Sequence, residues 1–411
     1  MKSSRLLIEH QCPQCGAPAT LEETDRLFAC AYCRVKSYLT SSDYFRYLLP
    51  HSAPKDKELL FFPYWRFKGM HFLCASSGIE HRIVDESQRA LGSRQFPVSV
   101  GIRSQVMKLR FVSPETEGRF LDPERAPKDE FDSFDQRFAR SLPKPIFYQC
   151  FIGETLSLIY APFYIDREIY DAVLNEPVTN NLPEENDISS FSGGRPDWRV
   201  RFIPAQCPDC GWDLEGDKDS FVLNCPNCPA LWYPGKKKFR KMIFSTMPQK
   251  ADQTTFLPFY RIKARMKGLA LDSYADLVKL ANLPKVIQPQ WKERPFYFWA
   301  PAFKVRPKDF ISFGRNATLS QPQQELIPEM PEKMPYPVTL PISEAVESLK
   351  LSLASFVKPP DTFFPKLSEI EIKAEKLLLV YIPFLERGNE ISNADLRLRL
   401  NKKLLIYGRQ L

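Results

Sequence analysis

Eight of the ten cysteines form four C-x-x-C pairs, and their spacing constrains this chain more than any other feature. The pairs lie in two groups, and 14 residues separate the two pairs within each group. This separation predicts a four-cysteine zinc site in which thiolates surround one ion tetrahedrally. The predicted ligands are Cys12, Cys15, Cys30 and Cys33 in one site and Cys207, Cys210, Cys225 and Cys228 in the other. We therefore expect two structural Zn²⁺ ions.

The residues around the cysteines favour tight metal-binding turns. Gly16 and Gly211 directly follow the first pair of each group and supply a permissive backbone. Proline lies inside three of the four pairs and pre-sets a turn there. The last pair is followed by Pro229, which has no amide hydrogen to donate. We expect the second site to be slightly weaker for that reason.

Three other roles for the cysteines fit the sequence less well than zinc binding. Disulfides are disfavoured because the chain is large and has no secretory signal. A redox-active C-x-x-C normally occurs once and not as matched pairs. Iron held by four thiolates uses the same ligand set and stays open as an alternative.

On these paired motifs the chain resembles the zinc-ribbon superfamily, which is found in transcription factors, polymerase subunits and ribosomal proteins. The resemblance covers residues 12–33 and 207–228 and concerns the metal sites alone. It implies a small hairpin between the two metal-binding turns of each site, and no specific activity.

An internal duplication organises the chain. All four ligands of the first group recur 195 residues later, and the same offset places Pro63 on Pro258, Arg66 on Arg261 and Lys68 on Lys263. Residues 96–105 align with 294–303, and two late Pro-Phe strands, 156–165 and 377–385, lie 221 residues apart. Because repeats define architecture, we predict two copies of one module.

The predicted fold is mainly β with minor α, and each copy is a small four-cysteine zinc ribbon followed by a β-rich domain. The predicted domains are zinc ribbon 1 (1–50), β-rich domain 1 (51–176), a linker (177–200), zinc ribbon 2 (201–245) and β-rich domain 2 (246–411). Below, the first copy is 1–176 and the second copy is 201–411. Helices are predicted at 128–142, 272–282 and 342–356, with Asp272 and Ser343 as N-caps of the last two, and a terminal hairpin at 395–408.

The Pro-aromatic strands place cations at alternate positions. In the first copy Arg66 and Lys68 fall on the face opposite Trp65 and Phe67, and the second copy repeats the arrangement. An aromatic residue beside two cations can hold phosphate or stack on bases. The alternative is that the cations are simply solvated.

The net charge of +8 comes from the second half of the chain. Residues 201–411 carry 32 basic and 22 acidic side chains, whereas residues 1–200 carry 25 and 27. A basic run beside a ribbon is typical of a phosphate-backbone partner, and also of a solvated face. The candidate anion or nucleic-acid contacts are Lys236, Lys237, Lys238, Arg240, Lys241, Arg261, Lys263, Arg265 and Lys267, with Arg66 and Lys68.

These observations favour a non-enzymatic, cytoplasmic adaptor or scaffold that binds a macromolecular partner through protein–protein interaction. The runner-up is nucleic-acid binding by the second copy. No HExxH, GxSxG, Walker-type or GxGxxG motif occurs, and a site closed by four cysteines leaves no position for a reacting water. The sequence contains no run of about 18 apolar residues, so no membrane-spanning helix is expected. Partner identity and oligomeric state do not follow from the sequence.

Overall fold

The computed structural model describes residues 6–93, 95–124, 126–127, 144–179, 191–235, 237–249 and 251–409. Strand accounts for 41% and helix for 16% of the described residues, which confirms the prediction of a mainly β fold. No helix among the described residues is long and apolar enough to cross a membrane.

The strands before the second cysteine group are β1 (Leu7–Gln11), β2 (Pro18–Glu22), β3 (Leu27–Ala29), β4 (Lys36–Thr40), β5 (Phe45–Leu48), β6 (Leu59–Ala75), β7 (Gly78–Arg89), β8 (Lys108–Phe111), β9 (Arg119–Leu121), β10 (Ile146–Ile165), β11 (Ile169–Asp171), β12 (Glu176–Thr179), β13 (Gly193–Gly194) and β14 (Arg201–Pro204). The later strands are β15 (Leu223–Asn224), β16 (Leu231–Pro234), β17 (Phe239–Met242), β18 (Phe244–Thr246), β19 (Thr254–Lys267), β20 (Phe298–Pro301), β21 (Glu371–Arg387), β22 (Glu390–Asn393) and β23 (Leu398–Asn401). The helices are α1 (Arg103–Val106), α2 (Tyr274–Leu280), α3 (Pro307–Ser320), α4 (Ile342–Glu347), α5 (Leu349–Phe356), α6 (Pro360–Phe363) and α7 (Lys402–Gly408), with 3₁₀ turns at Pro289–Lys292 and Phe364–Lys366.

Two long antiparallel strands form the backbone of each β-rich domain. In the first copy β6 pairs with β10 over almost its full length, and in the second copy β19 pairs with β21. β5 lies parallel to β10 as β18 lies parallel to β21, and β11–β12 follow β10 as β22–β23 follow β21. This shared order of strands agrees with the predicted duplication.

Proline occupies the same place in both copies. Pro63 and Pro258 lie one residue beyond the point where the neighbouring ladder, with β7 or with β20, ends. Their carbonyls accept hydrogen bonds from Ala90 and Ala302 respectively, each at 3.0 Å. A proline is tolerated here because its missing N–H falls where no ladder bond is needed.

The predicted match between residues 96–105 and 294–303 is not seen in the strands. β20 pairs with β19 at the positions where β7 pairs with β6, so the counterpart of β20 is the end of β7. Residues 96–105 contain the start of α1 and no strand. A shared proline aligned two segments that have different local structure.

The predicted helices and the terminal hairpin need correction in detail. The helix at 272–282 is α2, capped by Ser273 and not Asp272. The helix at 342–356 is divided into α4 and α5, and its N-cap is Pro341 because Ser343 already lies inside α4. Residues 395–408 contain β23 and then α7, because the Asn401 side chain caps a helix by accepting from the amide of Lys403. The helix predicted at 128–142 lies outside the described residues.

The core is continuous between the copies. Met70, Phe72 and Ile152, from the far ends of β6 and β10, belong to the same buried cluster as the core of the second copy. The rings of Phe72 and Phe310 are 6.2 Å apart, so β6 contacts α3 directly. The two copies are therefore packed together as well as repeated.

Candidate metal centres

Each ribbon holds its cysteines on tight turns that the backbone closes. The amide of Cys12 donates to the carbonyl of Ala17 at 2.8 Å, and the amide of Gly16 donates back to the carbonyl of Cys12 at 2.9 Å. The turn from Cys30 and the turn from Cys207 repeat this pattern. Residues in the left-handed region close these three turns, namely Gly16 at φ 72°, Arg34 at φ 63° and Gly211 at φ 75°.

The fourth turn lacks one of these bonds. The amide of Cys225 donates to the carbonyl of Ala230 at 2.9 Å, as in the other turns. The residue that would donate back to Cys225 is Pro229, which has neither an N–H nor access to positive φ. The departure expected from the sequence is thus a missing hydrogen bond in the second site.

The sulfur positions suit a tetrahedral ion. In the first site Sγ of Cys12 lies 3.8 Å from Sγ of Cys33, and Sγ of Cys15 lies 3.7 Å from Sγ of Cys30. In the second site the matching separations are 3.4 and 3.5 Å. Four sulfurs about 2.3 Å from one zinc ion lie about 3.8 Å apart, whereas a disulfide needs about 2.05 Å. Each set of four cysteines can therefore bind one metal ion.

The surroundings of the sulfurs favour thiolate in part of each site. The amide of Cys33 donates to Cys30 and lowers the pKa of that thiol to about 6, and the amide of Trp212 lowers the pKa of Cys210 to about 6. The pKa of Cys228 is raised to about 12, first by its hydrogen bond with a neighbouring thiol. A cation bound by all four sulfurs would remove this resistance to ionisation.

The two ribbons are joined into one unit. β14, which leads into the second ribbon, pairs with β4 of the first ribbon, and β4 pairs with β3. The carbonyl of Lys218 accepts from the amides of Arg26 at 2.6 Å and Leu27 at 2.8 Å. The hydroxyl of Tyr38 donates to the carbonyl of Ser220 at 3.1 Å. The two ribbons thus share both a sheet and a buried cluster, which contains Leu27 and Tyr38 of the first ribbon and Cys207 and Cys225 of the second.

The structure places Arg66 and Lys68 in the interior and not on an exposed face. Their side chains are 2% and 5% exposed, and they donate to the two carboxylate oxygens of Glu23 at 2.9 and 2.8 Å. Arg66 also pairs with Asp85 at 2.7 Å. Both faces of β6 are covered, which an alternating pattern alone does not reveal. These cations hold the first ribbon on the β-rich domain.

The candidate cations of the second copy are spread over several elements. Lys241 pairs with Asp209 at 2.8 Å, Arg265 with Glu375 at 2.6 Å and Lys267 with Glu371 at 3.3 Å. The guanidinium of Arg261 stacks on Tyr297 at 4.6 Å, and Nζ of Lys263 donates to the carbonyl of Asp272 at 3.2 Å. Lys237, Lys238 and Arg240 belong to the turn before β17 and to β17 itself, and Lys236 lies outside the described residues.

Several residues of this unit carry no sequence signal. Glu23 is an ordinary acid in a polar turn until its partners, more than 40 residues later, are known. Tyr32 and Trp212 lie on the turns that carry the cysteines, with 69% and 57% of their surface exposed. An aromatic residue is expected to be buried, so only the structure distinguishes these two.

Comparison with known proteins finds no matching family model, no matching curated protein and no matching solved structure. The ribbon-like character of the two sites therefore rests on the cysteine spacing and geometry described above.

Proposed function

We propose that this protein is a non-enzymatic adaptor in which two structural zinc ions hold a double ribbon that binds a macromolecular partner. The observation that carries the proposal is the joining of two four-thiolate sites through one sheet, β3–β4–β14. Four cysteine ligands fill the tetrahedral shell of zinc and leave no position for substrate. Such sites stabilise a surface, and do so most simply in the reducing cytoplasm.

The double ribbon offers a surface that fits a protein partner. Tyr32 and Trp212 lie on two turns that flank residues 204–206, because Ala205 bonds to Lys36 on one side and Gln206 bridges to Asp213 on the other. Exposed aromatic residues are enriched at the energetic centres of protein interfaces. Several cations proposed for nucleic acid are instead paired with carboxylates. Protein is therefore the favoured partner.

Metal analysis tests the first half of the proposal. The purified protein should contain about two zinc ions per chain, as two four-thiolate sites require. Iron in place of zinc, or one ion or fewer, would contradict it.

Cross-linking in native lysate tests the second half. We expect the double variant Tyr32→Ala/Trp212→Ala to lose a protein adduct that the native chain forms, at unchanged zinc content. Val286→Ala, which removes a side chain that is 90% exposed elsewhere, is the matched control. If the double variant and the control both retain the adduct, the double ribbon is not part of the interface. Capture that nuclease treatment abolishes would favour nucleic acid instead.

A further inference from the structure

A cavity of about 620 Å³ lies at the outer end of the sheet of the second copy. Its floor is apolar, and its rim carries the three arginines Arg387, Arg397 and Arg399. The apolar floor consists of Met247, Pro248, Pro383, Leu385 and Leu398. The volume falls within the range of ligand-binding pockets, and the lining combines an apolar floor with convergent donors.

The protein neutralises only part of the positive charge of the rim. Arg387 and Arg397 have no carboxylate partner among the described residues, and Arg399 lies 3.7 Å from Glu390 at an exposed position. Asp395 is the acid in the lining, and its carboxylate already accepts from Nε2 of Gln324 at 3.0 Å. A group with negative charge would therefore meet two free guanidinium groups.

The charge at this place differs between the copies. In the first copy Lys57 pairs with Asp166 at 3.0 Å. The ladders match Leu59–Tyr164 with Thr254–Leu385, so the corresponding residues are Asp252 and Arg387. The charges are reversed and the pair is not formed.

The backbone conformation of Arg397 also supports a functional role for this cavity. Its φ is 53°, and the first copy has Asn175 at φ 56° in the matching turn. Asparagine tolerates this left-handed conformation, whereas arginine adopts it at a cost in stability. Residues kept in such conformations cluster at functional sites.

A buried hydrogen-bond acceptor in the lining further restricts the kinds of ligand that fit the cavity. Oε1 of Gln324 is buried and has no hydrogen-bond partner among the residues that the structure describes. A ligand that fills the cavity must bring an N–H or O–H donor as well as a negative charge and an apolar group. β23 lies beside the cavity, and among the described strands it pairs with β22 alone, so its outer edge can accept an extended chain.

We propose that this cavity binds an extended acidic peptide segment of a protein partner, with its carboxylates on Arg387 and Arg397 and an apolar side chain on the floor. A peptide supplies all three features, since its backbone amides can donate to Gln324 or to the edge of β23. The inference rests on the proposed adaptor function and adds a second contact site to it.

Fluorescence anisotropy with a short labelled peptide of alternating glutamate and leucine tests this site on the full chain. Arg387→Gln and Arg397→Gln should each weaken binding about tenfold, because each removes a charge-assisted hydrogen bond. Arg167→Gln is the matched control, since Arg167 lies in the corresponding hairpin turn of the first copy and has no place in the cavity. It should bind the peptide as the native chain does.

Two further probes make the proposal falsifiable. Peptides with glutamine for glutamate, or serine for leucine, should each bind at least tenfold more weakly. Equal binding of the serine peptide, or equally effective competition by free citrate, would reduce the site to a simple anion site and overturn the peptide assignment. Unchanged binding by both arginine variants would overturn it as well.

Failure here can be told apart from failure of the adaptor proposal. If the peptide does not bind but cross-linking still depends on Tyr32 and Trp212, the cavity proposal is wrong and the double ribbon stands. If the peptide binds and no partner depends on the ribbons, the reverse holds.

Discussion

Glu23 attaches the first ribbon to its β-rich domain through buried salt bridges. Its carboxylate receives both Arg66 and Lys68, and all three side chains are at most 5% exposed. The duplicated position in the second ribbon is Lys218, which is exposed. There the cations at the positions of Arg66 and Lys68 have a tyrosine ring and a carbonyl as partners. The same strand motif therefore serves two different local structures.

Replacing Glu23 should be costly. Glu23→Gln keeps the shape but leaves buried cations without their carboxylate, and we expect the free energy of unfolding to fall by about 3 kcal/mol. Lys218→Gln should change it by less than about 0.5 kcal/mol, because an exposed side chain is involved. Denaturant unfolding of both variants measures the difference. Equal stability of the two would show that the buried charges do not hold the ribbon.

At the scale of strands and helices, the sequence predicts where the long strands lie better than it predicts burial. The Pro-aromatic strands β6 and β19 and the late Pro-Phe strands β10 and β21 follow from repeated motifs, whereas the pairing of β6 with β10 and of β19 with β21 is seen only in the structure. The exposed face assigned to Arg66 and Lys68 does not hold, because a two-residue period indicates faces and not what covers them. The cover is a turn of the ribbon, brought there by tertiary packing.

The sequence also does not predict where individual strands and helices begin and end. The run 395–408 alternates like a hairpin, yet its second half is α7. Asn401 is the N-cap of that helix. Whether an asparagine caps a helix depends on where the preceding strand ends, and the alternating pattern does not show that position. In contrast, the two four-cysteine groups that can each hold a metal ion could be located from the sequence, because tetrahedral binding by four sulfurs imposes a local spacing.

The joined ribbons predict that one metal site depends on the other. Cys207 belongs to the buried cluster that contains Leu27 and Tyr38 of the first ribbon. Structural zinc contributes directly to folding, so loss of the second ion should loosen the first ribbon. We expect Cys207→Ser to retain well below one zinc ion per chain after brief exposure to chelator.

Cys74→Ala is the control for that measurement, since Cys74 is buried but is not a ligand. It should keep both ions. Retention of one ion by Cys207→Ser, with the release rate of the native first site, would show that the ribbons are independent.

The C-terminal helix gives a pH-dependent prediction. Glu386 at the end of β21 accepts from Lys402 of α7, and this hydrogen bond, followed by the one from Thr255, lowers the pKa of Glu386 below 4.5. A lowered carboxylate pKa stabilises the fold above the unfolded-state value, and that stabilisation disappears as the pH falls through the folded-state value. The native chain should therefore lose stability below about pH 4.5 more steeply than Glu386→Gln. Thermal unfolding as a function of pH measures it, and parallel curves would contradict the assignment.

On the scale of the whole molecule, the duplication was visible in sequence but the contact between the copies was not. A common offset identifies two modules, whereas their packing depends on which apolar side chains remain uncovered in each. The ends of β6 and β10 are apolar at Phe72 and Ile152, and they lie in the core of the second copy. The matching ends of β19 and β21 carry Arg265 and Glu375, which pair in solvent. The same end of the paired strands is therefore buried in the first copy and exposed in the second.

This asymmetric packing predicts that the copies stay together when the chain is cut. A protease site inserted in the predicted linker, 177–200, should allow cleavage without separation, because Phe72 and Phe310 and the joined ribbons hold the halves. The cleaved protein should elute as one species in size-exclusion chromatography and unfold in one transition. Phe72→Asp places an unpaired charge in that core and should lower the melting temperature of the cleaved protein, whereas Phe72→Leu should change it little. Separation of the native halves would mean that the copies behave as independent domains, since a shared core cannot be divided without exposing its apolar surface.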